Sequence, residues 1–244
     1  MKRRYLAWAW LAVLLMCAAP TWAQLSSGQN ESLYDPRQSV YIQEEFMSGV
    51  NTNGQGGALG WGQAGTVTGI ASTANRIGII RIDTGAASGT PSRINLGQMS
   101  ATSAVIDPST NVFIRWMTRL NTNDVDTTVR IGAANSTAGA PPNDGIYFEK
   151  AAADTNWFCV TRASSTQTKT DTGIAVDTNF HTFSWRRDGY GVTCLIDYVP
   201  VVPSQSSNIP TVFLAPFSYI INSAPASKTM DIDYFELRLT GLVR

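Results

Sequence analysis

Apolar residues in this chain recur at every second position in short runs, and clusters of Gly, Asn, Asp, Ser, Thr and Pro separate the runs. Period two sends alternate side chains to opposite faces of a strand, so the pattern calls for half-buried β-strands and leaves almost no helix. From Val112 to Leu120, the residues Val112, Ile114, Trp116 and Leu120 share one face while Arg115 and Arg119 take the other. Thr127 to Ala133 repeats the logic, with Val129 and Ile131 opposite Arg130. Gly145 to Lys150, Trp157 to Arg162, His181 to Arg187 and Val192 to Tyr198 follow, joined by turns such as Pro141-Pro142-Asn143-Asp144-Gly145 and Asp188-Gly189.

The two ends belong together. Tyr41 to Phe46 and Met230 to Leu239 both read as strands rich in acids, and pairing terminal strands removes exposed edges. The expected fold is an all-β jelly-roll sandwich of two antiparallel sheets, with the first and last strands as antiparallel neighbours. No internal repeat and no linker divides it, so one domain is expected over 38–244.

Ahead of it, Lys2, Arg3 and Arg4 precede an apolar run from Leu6 to Ala19 and a small-residue end at Ala23. That order is expected of a secretory signal over 1–23, and the polar stretch 24–37 reads as a loosely ordered leader. The run is short for a span, no later stretch is long and charge-free enough, and the mature chain is expected to be secreted or periplasmic without a membrane span. Eighteen basic residues balance eighteen acidic ones, and loss of the signal leaves the chain mildly acidic. Nucleic acid is therefore not an expected partner. One histidine and three cysteines exclude a multi-histidine or four-thiolate metal centre within one chain. Cys159 and Cys194 remain after export, where a disulfide is permitted; they are either bridged or small buried apolar residues.

The segment Glu45-Phe46-Met47-Ser48-Gly49 with Leu59-Gly60-Trp61, and the closing Asp231-Ile232-Asp233-Tyr234-Phe235-Glu236-Leu237, resemble the first and last strands of concanavalin A-like lectin/glucanase sandwiches. A resemblance over 41–244, carried by Asp144 to Lys150, Asp154 to Phe158, Asp171-Thr172-Gly173 and Ser227-Lys228 to Gly241, is to uncharacterised domains of this fold in bacteriophage structural proteins, of tail or fibre type, and in bacterial genomes. It implies glycan binding, glycan cleavage or particle assembly, and the fold does not choose among them.

For cleavage, the glucanases place acids on one strand, and Asp231-x-Asp233-x-x-Glu236 is the nearest approach here. A regular strand would put Asp231 and Asp233 on the face of Phe235 and Leu237, with Glu236 turned away. His181 is the candidate lyase base, with Tyr147, Tyr190 or Tyr198 as acid. The bland alternative is that these acids accept arginine or backbone hydrogen bonds and that His181 sits at a strand edge.

Binding is the stronger expectation. Trp116 and Trp185 lie on apolar faces and belong to the core, whereas Trp61, in a Gly-rich segment, and Trp157, beside a turn, are expected at the surface. Arg115, Arg119, Arg130, Arg162 and Arg186 would line one sheet and grip acidic sugars, or pair across strands with Glu149, Asp171 or Asp197. The candidate ligand-binding set is Trp61, Trp157, Tyr147, Arg115, Arg130 and Arg186. No cofactor is expected; calcium is the alternative, on Asn143, Asp144, Asp154 and Asn156 as in some lectins of this fold, where ordinary turn chemistry also explains all four. The expected function is an exported, non-catalytic sandwich that binds a glycan or surface polymer, with other envelope or particle proteins as further partners. A secreted polysaccharide hydrolase or lyase and an assembly module without small ligand are the alternatives.

Overall fold

The computed structural model describes residues 38–47, 57–70, 76–97, 105–136 and 141–242. The signal and leader expected over 1–37 lie outside the described residues. Two antiparallel sheets form a sandwich, and the described residues contain no helix.

Numbered in chain order, the eight-stranded sheet runs β13 (Val199–Pro200), β12 (Gly191–Ile196), β11 (His181–Asp188), β6 (Asn111–Leu120), β15 (Thr229–Thr240), β4 (Ile79–Asp83), β3 (Thr66–Ile70), with β1 (Ser39–Glu44) also paired to β15. The seven-stranded sheet runs β10 (Thr166–Ala175), β9 (Asn156–Ala163), β8 (Gly145–Lys150), β7 (Thr127–Ala134), β14 (Ala215–Asn222), β5 (Pro91–Asn95), β2 (Gly62–Ala64). The terminal strands are neighbours as expected, from Ser39 opposite Thr240 to Glu44 opposite Phe235.

The apolar alternation closes between the sheets. Val112, Ile114 and Trp116 of β6 and Phe183 and Trp185 of β11 meet Val129, Ile131, Ile146, Phe148 and Trp157 from the opposite sheet. Cys159 of β9 and Cys194 of β12 face each other across this interior and are bonded, which decides the open question of their state.

Two tryptophans correct the sequence reading. Trp61 is 0% exposed and Trp157 2%. Gly57, Gly60 and Gly65 around Trp61 all adopt positive φ, so the chain doubles back and drives the indole inward, 4.8 Å from Phe235 and 5.3 Å from Trp116 by ring centroids. Trp157 alternates with Cys159 on the inner face of β9, 4.6 Å from Phe183. Neither ring is available to stack on a sugar.

A second correction concerns parity. The pairing of β15 with β6 skips a residue between Ile232 and Tyr234, so Asp233 occupies a bulge. Met230 and Ile232 point inward before it, and Phe235 and Leu237 after it. Asp231 and Glu236 therefore share the outer face, opposite to the regular-strand expectation.

Candidate functional site

β6 accompanies β15 along its whole length, but the other side of β15 is shared. β4 pairs with Thr229 to Ile232 and β1 with Phe235 to Thr240. The end of β1 and the approach to β4 abut opposite the Asp233 bulge. Gly78 sits at that seam with φ +79°, and a Cβ there would lie 1.9 Å from the Glu45 carbonyl oxygen and 2.6 Å from the Met47 nitrogen. Only glycine meets both demands. Gly78→Ala is expected to lower stability by about 2 kcal/mol, from an unfavourable left-handed backbone plus overpacking, in a denaturant titration.

Over the seam the outer face of the eight-stranded sheet opens into a cavity of about 400 Å³. Its walls are Glu45, Arg76 and Ile77 from the seam, Arg115 and Met117 from β6, Asp233 and Tyr234 from the bulge, and Tyr198 from the turn between β12 and β13. That volume suits one small ligand or one or two units of a polymer.

Its charges come in opposed sets. Arg76 donates to Asp233 at 2.5 Å, and the Phe180 ring lies between the guanidiniums of Arg76 and Arg119, 4.0 and 4.8 Å from its centroid. Glu236 is shared by Arg115, at 3.0 Å, and Arg238, and it accepts the Tyr234 hydroxyl. Burial, followed by the charge of Glu236, pushes the Tyr234 phenol well above its ordinary range. Arg115 also lies 5.0 Å from the centroids of both Phe113 and Tyr198, and its buried Nε has no hydrogen-bond acceptor. Tyr198 is 60% exposed and offers the open aromatic surface of the cavity.

Just beyond the cavity, Asp231 is fully buried between Arg81 and Arg119. Arg81 Nε reaches its Oδ1 at 2.6 Å, and Arg119 Nη2 reaches Oδ2 at 2.9 Å. Burial opposes the charge, but the hydrogen bonds from Arg81, Asn121 and Arg119 outweigh it and hold the carboxyl below the ordinary aspartate range. A glycosidase needs one carboxyl raised enough to stay protonated, and Asp231 moves the other way.

The remaining candidates separate. Both ring nitrogens of His181 face carboxylates, Asp197 Oδ2 at 2.6 Å and Asp177 Oδ1 at 3.0 Å, leaving no free lone pair for a lyase base. Tyr190 is at a hairpin tip and Tyr147 on the other sheet, so among its three suggested partners only Tyr198 lies near it. Arg186 is exposed on the outer face beside Phe113 but does not line the cavity.

Arg130 and Arg162 belong to the seven-stranded sheet, so the five arginines do not form one surface. Register across that sheet's outer face aligns Arg93, Tyr219, Arg130, Glu149, Phe158 and Asp171 in one row. Arg130 is bonded to Glu149 at 2.8 Å, as one of the expected cross-strand pairs. Tyr147 is fully buried beside Phe217, Tyr219 and Val160, with no partner for its hydroxyl, and burial raises its pKa. These two are closed to solvent.

The calcium set does not assemble. Asn143 and Asp144 precede β8, whereas Asp154 and Asn156 follow it, about 17 Å apart along a six-residue strand. Asp144 accepts from Asn135 and the Ser164 amide, and Asp154 from Lys169 and the Ala151 amide, so turn and cross-strand bonds account for them.

Arg76, Ile77 and Tyr234 were not among the sequence candidates. Arg76 and Ile77 lie side by side ahead of β4 and Tyr234 in β15, and no spacing links the two places.

No protein-family model and no curated protein matches the sequence. Solved structures do match in shape. A protein of unknown function from Shewanella oneidensis MR-1 has 14% identity over 88% of this chain and 94% of its own, with a TM-score of 0.62. An endo-acting O-glycanase of the human gut microbiota, described with the initiation of mucin breakdown, has 10% identity over 83% of this chain and 99% of its own, TM-score 0.54. Botulinum neurotoxin type C, which interacts with two ganglioside molecules, has 9% identity over 83% of this chain and 48% of its own, TM-score 0.52. At these identities the likeness establishes a shared β-sandwich fold and leaves the ligand to the chemistry of the site.

Proposed function

We propose that this protein binds a glycan or another surface polymer, without turning it over, in the cavity above the β1–β4 seam. The observation that carries the reading is the pairing of an exposed Tyr198 ring with the Arg115 guanidinium, 5.0 Å from its centroid, in one open cavity of about 400 Å³. An aromatic face suits the apolar side of a sugar ring, while Arg115, Glu45 and Asp233 offer donors and acceptors to its hydroxyls. Export through the segment 1–23, and an envelope or particle surface as the setting, belong to the same proposal. The fold is shared with a protein that interacts with gangliosides and with one that acts on mucin, and both associations support a carbohydrate ligand.

A second reading has one observation in its favour: Glu45 and Asp233 line the same cavity, as two carboxylates of a hydrolase would. Asp233 is already committed to Arg76.

A glycan-array screen followed by reducing-sugar release from each hit separates the two. Binding without product is expected, and Tyr198→Ala weakens it about tenfold, the worth of one aromatic contact, with unchanged thermal stability. Binding to no polymer, or affinity indifferent to Tyr198→Ala, sinks the proposal. Product release abolished by Asp233→Asn transfers the site to the hydrolase.

A further inference from the structure

The turn carrying Tyr198 is held in an unusual backbone. Asp197 and Tyr198 form the two-residue connection between β12 and β13, at φ 49° and 69°. Two successive left-handed residues suit the twist of a hairpin, but the pairing that favours them is Asn-Gly or Asp-Gly. A tyrosine in the second position costs free energy, and its conformation persists only where the surroundings fix it.

β11 supplies that restraint through the Thr182 backbone and the His181 ring. The Asp197 amide donates to the Thr182 carbonyl at 2.9 Å, and the Thr182 amide donates back to Asp197 Oδ1 at 2.8 Å. The second carboxylate oxygen, Oδ2, lies 2.6 Å from His181 Nδ1. His181 is anchored in turn by Asp177 Oδ1 on its Nε2, at 3.0 Å. Asp177 comes from the segment between β10 and β11, so three parts of the chain meet at one imidazole.

We infer that His181 is the positioning residue for the aromatic wall of the cavity, and that its protonated ring locks the Asp197–Tyr198 turn over Arg115. The consequence for binding rests on the function proposed above; the lock itself does not. Acceptors on both ring nitrogens require a proton on each. Burial opposes the charge, yet the hydrogen bonds to Asp197 and Asp177 outweigh it and lift His181 above the ordinary histidine value. Asp197 and Asp177 are the charged groups that face the ring; Arg76 and Arg119 are stacked on the neighbouring Phe180 and paired with Asp233 and Asp231. A neutral ring keeps one N–H for two carboxylates, and the bare nitrogen then faces an oxygen lone pair. One arm of the clamp is lost, and Tyr198 is freed from its place beside Arg115.

The sign follows from the raised value. The lock is complete below the ordinary histidine pKa of 6.5 and is lost as pH rises through the higher folded value.

The chain has a single histidine, so its NMR signal needs no assignment. Fluorotyrosine-labelled protein, with the Tyr198 resonance identified by its loss in Tyr198→Phe, gives the second signal without any ligand. The expected result is one shared midpoint for His181 and Tyr198, loss of the Tyr198 transition in His181→Gln, and a shift of both midpoints to lower pH in Asp177→Asn. The Asp177 side chain is only half-buried, so that variant serves even where His181→Gln fails to fold. A Tyr198 resonance that stays flat while His181 titrates, or that titrates unchanged in Asp177→Asn, overturns the inference. Glycan binding can fail without touching this measurement, so the two proposals fall separately.

Discussion

Replacing Cys159 and Cys194 together by alanine lowers the free energy of unfolding by about 4 kcal/mol, the largest single loss expected in this chain. The two residues are 35 positions apart, and cross-linking a loop of that length removes roughly this much entropy from the unfolded ensemble. Both side chains are fully buried between the sheets, where small apolar groups are tolerated, so the loss falls mainly on the unfolded state. The check is a denaturant titration of the wild type with and without reductant beside the double variant. Reduced wild type and variant should coincide at the lower midpoint, and the Tyr198 resonance should be unchanged in both. A midpoint indifferent to reductant would refute the bridge.

Asp231→Asn is expected to cost about 3 kcal/mol, because the amide keeps the shape but removes the charge that two guanidiniums share. Arg81 and Arg119 would then face each other as like charges. Their side chains are 34% and 36% exposed, and that residual hydration sets the loss at the low end for a broken buried ion pair. The pH dependence has a definite direction. The lowered pKa means that Asp231 stabilises the fold above the ordinary aspartate value of 3.8, and this contribution disappears as pH falls through the lower folded value. Acid titration of stability should thus be steeper in the wild type than in Asp231→Asn. Equal slopes would remove Asp231 from its buried position between the arginines.

The sheets were legible in the sequence wherever alternation ran unbroken. Val112 to Leu120 showed its buried and charged faces directly, and the apolar rows of Trp116 and Trp185 led inward as period two requires. Pairing of the terminal strands followed from the need to cover edges. Alternation failed at Asp233, where one extra residue reverses the parity of every side chain before it, and nothing in Asp231-Ile232-Asp233-Tyr234 marks that insertion. Trp61 and Trp157 were misread because nearby glycines and turns are statistical companions of surface, whereas the ring goes where the backbone aims it. The cavity was legible in Arg115 alone among the proposed ligand-binding residues. Its other walls come from segments that only the tertiary fold brings together, and no local pattern encodes a neighbour so far away in the chain.

The sharing of β15 between β1 and β4 also bears on when the cavity can exist. Arg76 and Asp233 meet in the cavity from 157 positions apart in the chain, so neither wall is built from a local segment. Such distant pairings close slowly, since the entropy of bringing the ends together is spent before the contacts that reward it have formed. The cavity therefore closes in one late step of folding, after β15 has found both of its neighbours.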